Sequence, residues 1–181
     1  MRKVVSGLFI SVDGIVQAPN EWQFDSFDAD LGVEMTTMIA ETDTILLGRV
    51  TYQEWAGYWP TSTDEPFATF INNTPKYVFS TTLSESEVTW QNTTLVQGDL
   101  TQAITKLKQQ PGKNITVTGS PSLAKSLIDH NLLDELTLMI HPVVVGKGKR
   151  LFPEGTDLKR LSLVSHRITG SGVAILTYQP K

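Results

Sequence analysis

The sequence predicts an α/β fold, with a mixed, mainly parallel central sheet, helices on both faces and antiparallel strands at its C-terminal end. Three observations on the 181 residues carry this reading. Strand-type and helix-type segments alternate through the first two thirds of the chain, which is the signature of parallel strands joined by crossover helices. The run Thr44-Ile45-Leu46-Leu47 is apolar without alternation, as in a strand buried on both faces. The last part is strand-rich and closes on a pair of segments, residues 161–168 and 173–178, around Thr169-Gly170-Ser171-Gly172, which reads as a hairpin.

Taken in order, residues 4–12 form a first strand that ends at the turn-favouring dipeptide Asp13-Gly14. A loop follows with Pro19, Asn20 and the aromatics Trp22, Phe24 and Phe27. The spacing of Leu31, Met35, Met38 and Ile39 predicts a helix over 29–41, and the buried strand after it is closed by Gly48. Residues 51–59 read as a short helix and residues 67–71 as one or two helical turns stopped by Pro75. Lys76-Tyr77-Val78-Phe79-Ser80 and Thr94-Leu95-Val96 are strands. Ala103, Ile104 and Leu107 line one side of a helix over 100–109 that Pro111-Gly112 ends. Ile115-Thr116-Val117-Thr118 is a β-branched strand that breaks at Gly119. Beyond it Ser120 suits a cap, Pro121 a first helical position, and Leu123, Ala124, Leu127 and Ile128 repeat on one helical face. Residues 135–145 read as a long strand bent at Pro142, and Gly146-Lys147-Gly148-Lys149-Arg150 as a solvated basic loop. With no internal repeat and no linker, the chain reads as a single domain.

The charge balance is 19 acidic to 15 basic residues, a net charge of −4, so no overall positive field exists to attract nucleic acid. Without cysteine there is no disulfide, thiolate nucleophile or zinc–thiolate site. Arg2-Lys3 before an apolar run loosely mimics a signal peptide, but Asp13 and Gly14 interrupt it, and no stretch has the length of a membrane span. A cytoplasmic protein is the default expectation.

Open α/β sheets bind ligands beyond the carboxyl ends of their strands, where three candidates fall: Gly48-Arg49, Ser80-Thr81-Thr82 and Gly119-Ser120. Each offers small or hydroxylated residues with accessible backbone N–H groups. A glycine at the Gly119 turn lets the backbone approach a ligand, and the helix start that follows suits a phosphate or diphosphate. Arg49 adds a fixed charge able to grip a phosphate. Each of these also has a plain structural reading, as a capped turn or a surface arginine; together they point to a phosphorylated cofactor. No Gly-x-Gly-x-x-Gly, P-loop or Gly-x-Ser-x-Gly motif occurs. His130, His141 and His166 lack ligand spacing, so no metal site is expected. Asp28, Asp30 and Glu34 stand near a helix start, where carboxylates commonly stabilise the helix end.

The ordered segments Leu46-Leu47-Gly48-Arg49-Val50-Thr51-Tyr52, Tyr77-Val78-Phe79-Ser80 and Val117-Thr118-Gly119-Ser120 resemble the motifs of dihydrofolate reductase. Leu132-Leu133-Asp134-Glu135-Leu136, Pro142-Val143-Val144-Val145-Gly146, Gly148 and Leu151-Phe152 resemble the C-terminal reductase domain of the bifunctional riboflavin-biosynthesis deaminase/reductase. The match runs from Ser11-Val12-Asp13-Gly14 onward and marks a member of the dihydrofolate-reductase-like superfamily. That resemblance implies NADPH-dependent reduction of a pterin- or pyrimidine-type ring. It places Gly48, Arg49, Val50 and Thr51 on the diphosphate and 2′-phosphate side and Ser80 and Thr81 near the adenosine ribose. Gly119, Ser120, Pro121, Ser122 and Leu123 would stand at the diphosphate, and Asp13, Gly14 and Val16 beside the nicotinamide. Trp22 and Trp55 would wall the substrate. Asp30-Leu31 resembles the helix carboxylate dipeptide that handles the proton in such enzymes, with Glu34 one turn later as its rival. The Gly119-Ser120 pair replaces the usual double glycine, and no deaminase domain is present. A stand-alone reductase, a non-catalytic nucleotide- or pterin-binding protein and a folate-specific reductase are the readings left open. Exposed strand edges at the C-terminal end add the expectation of a homodimer.

Overall fold

The computed structural model describes residues 1–181. Its strands are β1 (Val4–Ser11), β2 (Thr42–Gly48), β3 (Lys76–Phe79), β4 (Thr93–Val96), β5 (Asn114–Thr118), β6 (Glu135–His141), β7 (Leu161–Ile168) and β8 (Ala174–Pro180). They form one eight-stranded sheet in the order β4-β3-β2-β5-β1-β6-β8-β7. Every neighbour pair from β4 to β6 is parallel, and β8 runs antiparallel to both β6 and β7. The expected mixed sheet is therefore present, with its antiparallel strands at the C-terminal end.

Alternation along the strands assigns the helices to faces. Val4, Leu8 and Ile10 of β1, Leu46 of β2 and Ile115 and Val117 of β5 are buried beneath α4 (Leu100–Gln109) and α5 (Pro121–Asp129), which contribute Ile104, Leu107, Leu123, Ala124, Leu127 and Ile128. The intervening residues of β2 and β3, Ile45, Leu47 and Val78, face Tyr52 of α2 (Arg49–Ala56) and Ile71 of α3 (Phe67–Asn73). On that same side Leu31 and Met35 of α1 (Ala29–Glu41) cover Phe9, Met139 and Ile175. Helices thus lie on both faces, and β2 is continuously apolar from Ile45 to Leu47 because both of its faces are covered there. No helix is long and apolar enough to cross a membrane.

Three local expectations are corrected. The strand expected over 135–145 ends at His141, because Pro142 has no N–H for the ladder. Residues beyond it turn toward the β1 end instead, where the Val12 N–H donates to the Val143 carbonyl at 2.9 Å. The helix expected from Thr51 begins at Arg49, directly after extended Gly48, and Gly57 ends it at Ala56; Trp59–Thr61 is a separate 3-10 turn. The basic loop is pinned: the Lys149 carbonyl accepts the Val16 N–H at 2.9 Å, and the Lys149 N–H donates to Gln17 Oε1 at 2.9 Å.

One buried cation stands out in the core. Lys76, fully buried at the start of β3, donates to the carbonyls of Ile71 at 2.8 Å and Thr74 at 2.9 Å and lies 4.6 Å from the Trp90 ring centre. It satisfies the last carbonyls of α3, yet burial pushes its ammonium from 10.5 down to about 8. The unfolded chain then binds more protons between about pH 8 and 10.5, so stability from this group rises with pH across that window. Denaturation midpoints measured on either side of it should rise more for the wild type than for Lys76→Met.

Candidate functional site

The three glycine- or hydroxyl-rich junctions come together because β3, β2 and β5 are neighbours in the sheet. The junctions after β2 and β5 are bonded to each other. The Gly48 N–H donates to Ser120 Oγ at 2.9 Å, and Thr51 Oγ1 donates to the Gly119 carbonyl at 2.7 Å. Ser120 therefore spends its hydroxyl on the neighbouring junction and does not cap its own helix, which opens on Pro121. Neither α2 nor α5 has a side-chain cap or an acidic residue in its first turn. Two helix starts with uncompensated partial positive charge thus lie side by side, a charge distribution suited to a diphosphate.

Around this pair, Val50 and Ser122 are exposed on the first turns of α2 and α5, while Leu123 is buried in the core. Arg49 is exposed and its guanidinium donates only to Gln53 Oε1, at 3.1 Å. Ser80 Oγ accepts the Thr82 and Leu83 N–H groups at 3.1 and 3.0 Å, which shapes the turn after β3 and leaves Thr81 exposed. Gly119 has a φ of +61°, and a Cβ there would lie 2.5 Å from Trp55 Cζ2 and 3.3 Å from Thr51 Cγ2. The close approach at this glycine is made by Trp55, which also packs edge-on against Trp59 and Phe67 with ring centres 5.9 Å away in each case. Trp55 and Trp22 accordingly stand in different aromatic clusters.

Asp13, Gly14 and Val16 form the crossing between β1 and the basic loop. The Asp13 carboxylate accepts from Ser11 Oγ at 2.6 Å, the Val145 N–H at 3.1 Å and the Gly146 N–H at 2.8 Å. These donors hold it near 2 against an ordinary value of 3.8. Val16 is buried in the main core, and the Gly14 carbonyl accepts the Leu151 N–H at 3.3 Å. A depressed carboxylate stabilises the fold fully above 3.8 and loses that contribution as pH falls through about 2. Acid unfolding of Asp13→Asn should be correspondingly flatter in this window, with a lower melting temperature at neutral pH; equal acid profiles would assign no structural role to the carboxylate.

The helix carboxylates meet the hairpin between β7 and β8. Asp28 caps α1 through the Leu31 N–H at 3.0 Å and accepts the Ser171 N–H at 2.8 Å, and these donors lower it to about 2. Asp30 is exposed and accepts the Gly170 N–H at 3.1 Å; Glu34 lies 3.8 Å from the Arg167 guanidinium. Both contacts are with the hairpin, not with the junctions after β2, β3 and β5.

A second aromatic cluster surrounds His141, a residue to which the sequence assigned no site for want of ligand spacing. Phe9 and Trp22 stand edge-on to the imidazole, each with its ring centre 5.5 Å away, and Phe27 lies 6.2 Å from Phe9. His141 Nδ1 is 2.7 Å from Ser26 Oγ, and burial lowers the basicity of the ring. The signal available in the sequence was phase: His141 follows Met139 by two positions, on the strand face that α1 covers.

Residues 2–175 match the RibD C-terminal domain family. The chain belongs to this family. Among relatives of this RibD C-terminal domain protein, the uncharacterized protein YyaP of Bacillus subtilis is 32% identical over 98% of this chain and 94% of its own. A putative riboflavin biosynthesis protein from Shewanella sp. PV-4 shares the fold with a TM-score of 0.80 at 19% identity, over 99% of both chains. The deaminase/5-amino-6-(5-phosphoribosylamino)uracil reductase of Thermotoga maritima gives a TM-score of 0.70 at 14% identity, over 99% of this chain and 57% of that one. The fold is thus that of the RibD-type reductases, the dihydrofolate-reductase-like architecture, and the chain spans 57% of the bifunctional Thermotoga maritima protein.

Proposed function

We propose that this RibD C-terminal domain protein is an NADPH-dependent reductase of a pterin- or pyrimidine-type small molecule. The observation that carries the reading is the bonded pair of uncapped helix starts, Gly48-Arg49 and Ser120-Pro121, at the carboxyl ends of adjacent parallel strands. The reductase activity in the name of the Thermotoga maritima protein supports the same reading. NADPH would supply the hydride. The backbone of α2 and α5 would hold the diphosphate, Arg49 the 2′-phosphate, and the turn from Ser80 through Thr81 the adenosine ribose. Asp13, through Val145 and Gly146, would fix the loop edge beside the nicotinamide.

Thermal melts with NADPH and NADH test the cofactor first, since ligand at about 100 times its dissociation constant stabilises a fold by roughly 2.7 kcal/mol. Oxidation of NADPH with pterin and pyrimidine candidates then tests the reaction. The engagement of Asp30 and Glu34 with the hairpin favours a structural role for both and lends weight to the second reading, a non-catalytic binder of the same ligands. Asp30→Asn is accordingly expected to lower the melting temperature while changing kcat only a few-fold. A loss of roughly 100-fold in kcat with unchanged NADPH affinity would instead make Asp30 the general acid. The same proposal includes a homodimer through the edge strand β7, whose Leu163, Val164 and Ile168 are exposed, and sedimentation of the purified protein decides it.

A further inference from the structure

We propose that His141 Nε2 and Gln23 Oε1 form a recognition pair for the amino-bearing edge of a flat nitrogen heterocycle, with Trp22 as a movable cover. The inference deepens the reading above, in that it names the groups that would select the substrate ring. Its basis is a pair of side-chain atoms enclosed by protein, His141 Nε2 and Gln23 Oε1, that have no hydrogen-bond partner. Every other enclosed side-chain nitrogen or oxygen is bonded, and a fold gains nothing by burying such atoms unpaired. An apolar residue of similar size would pack there at lower cost.

Their setting points to a ligand. His141 is fully buried at the carboxyl end of β6, beside β1, on the edge of the parallel sheet where such folds bind small molecules. Its ring is held by Ser26 Oγ at 2.7 Å, and Ser26 is held in turn, its carbonyl accepting from Ser171 Oγ at 2.7 Å. The imidazole is therefore positioned through one nitrogen while the other is left over. Phe9, Trp22 and Phe27 supply apolar walls of the kind that suits a planar ring. Gln23 Oε1 can only accept, so its partner must bring an N–H; neutral His141 offers a lone pair or an N–H at Nε2, according to which tautomer Ser26 selects. An aminopyrimidine edge, alone or fused in a pteridine, meets both requirements.

In this proposal the ligand would enter past Trp22. Its ring stands edge-on against the imidazole but is only half-buried, and its indole N–H donates to the Gln17 carbonyl at 3.1 Å in an exposed contact. The segment that carries it, between β1 and α1, holds only two short 3-10 turns, Pro19–Glu21 and Phe24–Ser26. Moving the indole outward opens His141 and lets the same ring close over the bound heterocycle.

The test follows the side-chain ¹⁵N resonances of the histidines during titration with diaminopyrimidine, with and without NADPH. The control ligand is dimethoxypyrimidine, which has the same ring and no N–H donors. Exposed His130 and His166 serve as internal references. Diaminopyrimidine should move His141 Nε2 in saturable fashion while dimethoxypyrimidine does not, and Gln23→Met should weaken diaminopyrimidine about tenfold. His141→Phe should do the same, but the Gln23 variant and the wild-type resonance suffice if that one fails to fold. An unmoved His141 resonance, equal binding of both ligands, or wild-type affinity in Gln23→Met would each overturn the pair. A saturable His141 shift in a protein that does not bind NADPH would uphold the pair and sink the reductase reading.

Discussion

Arg49→Ala is expected to weaken NADPH binding about 10- to 100-fold while NADH binding changes little, because a charge-assisted contact to phosphate contributes roughly 1.5–3 kcal/mol. Arg49 is the first residue of α2, exposed, and bonded only to Gln53, so its removal breaks no core contact and the apo protein should melt as the wild type does. The measurement is a pair of titrations, one per dinucleotide, on each protein. Equal losses for NADPH and NADH would place the guanidinium away from the 2′-phosphate and remove the basis for cofactor preference.

Gly119→Ala is expected to destabilise the fold by roughly 2–5 kcal/mol even without ligand. A left-handed backbone costs a residue with a Cβ about 1–2 kcal/mol, and overpacking adds about 1–3 kcal/mol. Here the φ is +61° and the indole of Trp55 occupies the space. The diagnostic result is the coupling: Gly119→Ala with Trp55→Ala should be less destabilised than the sum of the single changes, by about 1–3 kcal/mol in chemical denaturation. Additive effects would mean that backbone strain alone accounts for the glycine. The position has a structural demand independent of any cofactor, so binding data on Gly119 variants acquire meaning only beside their stabilities.

The same glycine marks how far the sequence could be read. A β-branched strand, a glycine and Ser-Pro at a helix start are neighbours in the chain, so strand, turn and helix were legible from them. That Trp55, from another helix, is what the glycine makes room for depends on β2 and β5 being adjacent, which no local pattern reports. Ser120 illustrates the same limit: it reads as a cap, but its hydroxyl bonds across to Gly48. Asp13 read as a turn residue; its charge is matched by the amides of Val145 and Gly146, more than a hundred positions away. Pro142 did announce a break in the last parallel strand, but as a bend where the chain in fact leaves the sheet. Most hidden was His141, since an isolated histidine in an apolar strand carries no spacing partner, and its significance lies in an atom with nothing bonded to it.

The place of β1 in the sheet has a consequence for how the protein is made. Its flanking partners are β5 and β6, paired through Val4 with Ile115 and through Val5 with Glu135. On the ribosome, β1 emerges before both of its partners and waits for most of the chain before either edge is covered, and its Leu8-Phe9-Ile10 stretch is apolar. Closing those pairings over more than a hundred residues makes folding slow relative to a chain with local contacts. In the interval, the unpaired strand is a template for aggregation and a natural substrate for chaperones. A nascent chain arrested before Glu135 would present one open edge of β1, and protease resistance of the N-terminal half should appear only once His141 has cleared the exit tunnel.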